Sequence, residues 1–172
     1  YSGDSQTKKT VSGLKESLLV DKIFLLANEG VDDKIDGCEI IEIDSLNSSS
    51  TIHKIAAHAN TTYTLLYTKH TTLELGYFAL DRMVQLMTDS NAGMVYADHY
   101  KIVGDAKTNA PVIDYQVGSL RDDFNFGSVL LYDTVSLKEA ASKMKQDFKF
   151  AGLSDLRLKL SQSNSLVHIN EY

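Results

Sequence analysis

The chain has 172 residues, 43% of them hydrophobic, which is enough for one domain with a substantial core. Lys and Arg number 17 against 23 Asp and Glu, a net charge of -6, and the scattered basic residues exclude the electrostatic footprint of a nucleic-acid binder. A single cysteine, Cys38, excludes an internal disulfide framework, and no apolar run approaches the ~20 residues that span a bilayer or follows the pattern of an export signal.

Asp4 or Ser5 caps a first helix whose apolar positions Val11, Leu14 and Leu18 keep helical spacing. Lys22 to Ala27 is a short, continuously apolar run, the pattern of a strand covered on both faces. Asn28 to Gly37 is a polar, glycine-punctuated loop, and the β-branched residues of Cys38 to Ile43 favour a second strand in which Cys38 is a structural thiol. Asp44 to Ser50 reads as a surface loop that ends in a helix cap, before a short helix over Thr51 to Ala59. Thr62 to Tyr67 is a buried strand. Thr71 and Glu74 then stand in capping-box register ahead of a helix over Leu73 to Thr88.

Met94 to Ala97 is the next strand, and the turn Gly104 to Pro111 returns the chain towards Val112 to Val117 as an antiparallel excursion. Gly127 to Tyr132 is another buried strand. Ser136 and Glu139 form a second capping box before a helix over Leu137 to Phe148. Leu153 to Ser161 fits both strand alternation and helical spacing, and Leu166 to Asn170 closes the chain as a strand.

Three strands thus end in polar tips: Asn28-Glu29 after the first, Thr68-Lys69-His70 after the third, and Asp98-His99 after Met94 to Ala97. In an α/β sheet, ligands sit outside the carboxyl ends of strands. The order of elements, the run TYTLLYTKH at 62–70, VYADHY at 95–100 and the late DLRLKL at 155–160 together resemble the catalytic domain of family-2 glycosyltransferases. The resemblance covers most of the chain and decides for a helix at Leu153 to Ser161. It implies an α/β, GT-A-like (Rossmann-like), mostly parallel sheet flanked by helices with a small antiparallel element. It also implies a single domain over residues 1–172 that is cut at both ends, since such a fold has a strand ahead of the first helix.

The resemblance places the nucleotide over Asn28 and Glu29, with Asp98 orienting donor or acceptor hydroxyls. Thr68, Lys69 and His70 stand where the family carries the Asp-x-Asp that binds Mn²⁺ or Mg²⁺. Neither flanking position is a carboxylate here, so either His70 holds Mn²⁺ alone or Lys69 neutralises the diphosphate with no metal. The other histidines, His53, His58 and His168, show no zinc spacing. In the late motif Gly152 and Leu153 replace the acidic pair, which leaves Asp155. Asp122 and Asp123, beside a phosphate-binding candidate in Arg121, are further candidates for the base.

The expected function is transfer of a sugar from a nucleotide-diphosphate donor to a hydroxyl on a glycan or lipid-linked acceptor, in the cytoplasm or at the membrane periphery. The alternative is a non-catalytic GT-A-like domain that binds nucleotide or sugar, or serves protein interaction. A nucleotidyltransferase of related architecture would need a glycine-rich phosphate loop near the first helix, and Tyr1 to Ser5 is too short to be one.

Overall fold

Short apolar runs bounded by polar turns form the strands, and capped amphipathic runs form the helices that cover them. In the computed structural model, which describes residues 1, 3–31, 33–118 and 124–171, chain order is α1 (Ser5–Lys15), β1 (Ile23–Ala27), β2 (Cys38–Glu42), α2 (Ser49–His58), β3 (Tyr63–Tyr67) and α3 (Ala79–Ser90). There follow β4 (Met94–Ala97), the hairpin β5 (His99–Val103) and β6 (Ala106–Ala110), then β7 (Val129–Asp133), α4 (Thr134–Ser142), α5 (Gly152–Ser161) and β8 (Leu166–Ile169).

β1 pairs with β2 in parallel, from Ile23 against Cys38 to Ala27 against Glu42. A second group runs in the order β3-β7-β4-β8, with β4 and β8 parallel and β7 antiparallel to both its neighbours. α2 connects β2 to β3. The expected α/β architecture is therefore present: a mainly parallel sheet flanked by helices, with a small antiparallel hairpin. The sequence did not disclose the sense of β7. Between β4 and β7 the chain carries the β5–β6 hairpin and, among the described residues, no helix, and β7 pairs antiparallel to β4.

Strand alternation splits the core in two. Leu66, Met94, Tyr96, Leu130 and Tyr132 pack with residues of α2, α4 and α5, while Val95, Leu131 and Ile169 pack with Met83 and Met87 of α3. Burial pushes the Cys38 thiol up, as fits a structural thiol at the start of β2.

Asp4 caps α1 by accepting from Thr7 N at 2.7 Å, one of the two expected choices. The two capping boxes did not form. The Thr71 hydroxyl lies 2.9 Å from Tyr67 Oη, and Leu73 N donates to Thr10 Oγ1 at 2.8 Å. These contacts hold the chain against α1, so α3 begins only at Ala79, behind Phe78 in a left-handed conformation. Ser136 donates instead to Asn164 Oδ1 at 3.1 Å, and Asp133 caps α4 by accepting from Ser136 N at 2.8 Å. α4 therefore starts earlier than expected and ends at Ser142. Val112 to Val117 forms no strand. Val112 N donates to the Asp98 carboxylate and Tyr115 N to Tyr96 Oη, both at 2.8 Å, so side chains of the β4 region take amides that a ladder would have used.

α5 meets α2 backbone to backbone: Gly152 N donates to Asn47 O at 2.6 Å and Ser49 N to Phe148 O at 2.8 Å. A Cβ on Gly152 would lie 2.6 Å from Ser48 C and 2.7 Å from Ser49 N, whereas one on Gly13 in α1 meets nothing within 4 Å. Gly152→Ala is expected to destabilise by about 1–3 kcal/mol through overpacking, and Gly13→Ala to stabilise by about 0.5–1 kcal/mol through helix propensity. Shifts of the urea midpoint in opposite directions check both.

Candidate functional site

A cavity of about 980 Å³ opens between β1 and β3. Its lining is mostly apolar, and the polar residues along it include Asn28, Asp44, Thr68, Lys69 and His70, which follow strands, and Asp21, Lys22, His58, Asn60 and Thr61, which do not. Each of the first five follows the last residue of a strand closely, so the site is built at the carboxyl ends of β1, β2 and β3. The turn Asn28-Glu29-Gly30 needs glycine at its third position, where φ is +86°. Asn28 and Glu29 are exposed, and of the two only Asn28 lines the cavity. Lys69 and His70 are exposed on the loop that leaves β3, where Thr68 N donates to Ser128 O at 2.9 Å and so fixes the start of the loop to the lead-in to β7. The structure thus brings together Asn28 from one sequence motif and Thr68 to His70 from another.

Asp44 belongs to the same rim and was read from sequence only as part of a surface loop. Its carboxylate accepts from Ser48 Oγ at 2.8 Å and Thr51 Oγ1 at 3.3 Å, and these bonds, Ser48 foremost, hold it below the usual carboxylate range. A polar residue directly after a strand was the available signal, identical in kind to the one that marked Asn28.

Asp98 occupies a different setting. It is 6% exposed, and its Oδ1 accepts from Val112 N and lies 2.9 Å from His168 Nε2. His168 Nδ1 in turn lies 2.6 Å from Asp114 Oδ1, and the imidazole stacks on the Tyr96 ring with centroids 5.1 Å apart. Tyr96 Oη donates to Ile113 O at 2.9 Å. Burial, as the largest cause, pushes this phenol up to about 12, so it stays a donor at every ordinary pH. Asp98 therefore braces segment 112–115 against the sheet, a role that its position after a strand does not reveal. His168 could be found only from the β4–β8 register, which sets it opposite Tyr96.

Asp155 lies in the first turn of α5, where a carboxylate suits the helix dipole, and faces Lys159 Nζ at 3.9 Å. It does not line the cavity. Arg121, Asp122 and Asp123 lie outside the described residues. A hard divalent cation wants several oxygen ligands, and among the described residues no three of His, Cys, Asp or Glu come together to hold one. His70 as a lone imidazole does not fit Mn²⁺ or Mg²⁺, and no chemical step is assigned to a metal.

No protein-family model and no curated sequence matches the chain. Among solved structures, 2-C-methyl-D-erythritol 4-phosphate cytidylyltransferase from Thermus thermophilus superposes with a TM-score of 0.61 at 11% identity, covering 99% of this chain and 80% of that one. 4-Diphosphocytidyl-2C-methyl-D-erythritol synthase from Anaerococcus prevotii gives a TM-score of 0.61 at 11% identity, with 96% and 76% covered. The shared property is the fold. The finer likeness to family-2 glycosyltransferases is not part of what these structures show. Among the described residues no helix is long and apolar enough to cross a membrane.

His99, beside Asp98, has Nδ1 buried with no hydrogen-bond partner among the described residues. Burial first and then the Lys101 cation lower its pKa below 6.5, against an upward pull from Asp98, with Lys69 adding a smaller downward one. The folded state therefore binds this proton less readily than the unfolded chain. Its contribution to stability is complete above pH 6.5 and is lost as pH falls from there through the folded value. His99→Gln is expected to flatten the loss of stability on acidification below pH 6.5, read from urea midpoints at a series of pH values.

Proposed function

We propose that the chain binds the nucleotide diphosphate of an activated sugar at the carboxyl ends of β1 and β3 and transfers the sugar to a hydroxyl acceptor. The observation that carries this reading is that Asn28, Lys69 and His70, each just after a strand, line one cavity, in a fold shared with nucleotide-using transferases. An amide and a carboxylate at Asn28 and Glu29 suit a base edge and ribose hydroxyls. Lys69 is a mobile, strongly hydrated point charge at the mouth, suited to a diphosphate without a metal. Asp155, or Asp122 or Asp123, takes the acceptor proton, and the acceptor is a glycan or a lipid-linked sugar. The proposed setting is the cytoplasm or the cytoplasmic membrane surface.

One observation favours a second reading, a domain that binds the nucleotide or sugar without transferring it. The Asp98 carboxylate is committed to Val112 and His168, and Asp155 lies beside Lys159 and away from the cavity. Both readings require donor binding, and only the first requires turnover.

Titration calorimetry with UDP, GDP and CTP, each with and without Mn²⁺, tests the shared step. One of the three is expected to bind with an affinity that Mn²⁺ leaves unchanged. Lys69→Ala is expected to weaken that binding at least about tenfold, since a charge-assisted contact contributes about 1.5–3 kcal/mol. Absence of binding by all three nucleotides to the folded protein would sink both readings. Hydrolysis or transfer of the matching nucleotide sugar separates enzyme from binding module.

A further inference from the structure

β7 lies between β3 and β4, so the loops that leave those two strands flank the lead-in to β7, about 10 Å apart by ordinary strand spacing. On one side Thr68 N donates to Ser128 O at 2.9 Å, which sets Lys69 beside that lead-in. On the other stands His99, which opens β5 just past the end of β4. Gly127, the chain neighbour of Ser128, joins the two sides. Its φ is +78°, and a Cβ there would lie 3.5 Å from Ala97 O and 3.7 Å from His99 Nδ1, so the imidazole packs against this glycine. Lys101 follows His99 by two residues in β5 and emerges on the same face of the hairpin.

The buried Nδ1 of His99 has no hydrogen-bond partner among the described residues. An orphaned N–H is costlier than a bare lone pair, so the neutral ring carries its proton on Nε2. The residue is only half-buried, and Nε2–H is the donor it has to offer. Among the described residues, the charged groups that act on the ring are Lys101 from its own strand, Asp98 beside it and Lys69 from the loop after β3. Val112 and Gly127, which pack nearby, carry no charge, and Asp98 is already engaged by Val112 N and His168.

Lys69 and Lys101 are exposed, and among the described residues neither ammonium has a carboxylate partner. Two point charges and one N–H donor that meet without an anion suit a phosphoryl group, whose oxygens accept from all three. Such an anion also acts on the ring. It offsets the repulsion from Lys101 and Lys69 and adds negative charge beside Nε2, and both effects favour the imidazolium. Protonation in turn strengthens the hold on the anion, because linkage between two bound species is reciprocal.

We propose that Lys69, His99 and Lys101 form a proton-linked site for a phosphoryl group, which binds across the lead-in to β7 while His99 takes up a proton from solvent. The inference deepens the reading above and rests on it in taking that group to be the donor's diphosphate. The site and its proton linkage are testable without any nucleotide.

Inorganic sulfate, a dianion that does not itself titrate near neutral pH, is the probe. The titration of the His99 ring is followed by NMR in sodium sulfate and in sodium chloride at equal ionic strength, with the resonance assigned from His99→Gln. Sulfate is expected to tighten proton binding at His99 at least about tenfold, and to bind more tightly below pH 6.5 than above it. His99→Gln, whose amide takes up no proton, is expected to abolish that pH dependence, and Lys101→Ala, at an exposed position, to weaken sulfate several-fold. An unmoved His99 titration would overturn the proposal. So would a pH dependence that survives His99→Gln, or an equal response at exposed His53 on α2, which would mark a general salt effect. UDP separates the two readings: if it binds and leaves the His99 titration unmoved, this proposal fails and the nucleotide reading stands. If it does not bind while His99 responds to sulfate, the anion site stands and the nucleotide reading fails.

Discussion

The structure depends on β7. This strand is paired along both edges and covered on both faces, and Leu130, Leu131 and Tyr132 are all essentially inaccessible to solvent. Leu130 and Tyr132 belong to the core beneath α2, α4 and α5, Leu131 to the core beneath α3, so one five-residue strand ties both apolar clusters together. Its main-chain groups have no access to water and must be satisfied by β3 and β4, which fixes those two strands on either side of it. β7 is antiparallel to both β3 and β4, and this leaves those two strands with a common sense. The polar tips of β3 and β4 consequently lie at one end of the sheet.

Those tips have divided the work between them. At the end of β4, burial has turned polar residues inward: Asp98, His168 and Tyr96 hold segment 112–115 by hydrogen bonds to its backbone and to Asp114. Tyr96 also meets Phe126 edge to face at 4.9 Å, and the Arg157 guanidinium lies 5.1 Å above the Phe126 ring, so the bracing reaches α5. At the ends of β1 and β3, by contrast, Asn28, Lys69 and His70 remain exposed and line a large cavity. An exposed charge beside an enclosed space is available to a ligand, whereas a buried carboxylate with its partners already in place is committed to structure.

The strands of the sheet were legible in the sequence, because continuous apolar runs such as IFLLA and YTLLY have few alternatives to burial between layers, and Met94 to Ala97 was placed to the residue; the hairpin was not, since Gly104 to Pro111 reads as a turn ahead of a strand at Val112 to Val117, whereas the strands are His99–Val103 and Ala106–Ala110. The α/β class and the polar tips at Asn28, Thr68 to His70 and Asp98 followed from the same pattern. Helix starts were less legible, since a capping box is a local option that a distant partner can outbid: Thr71 is engaged by Tyr67, and Ser136 by Asn164. Sequence alone determined which segments must be buried and which residues stand at strand ends, since those depend on composition and short-range period. Only the tertiary structure decided that β7 runs antiparallel and that Asp98 faces inward to His168 while Lys69 is exposed. Those outcomes depend on which distant residues become neighbours, and local pattern carries no information about that.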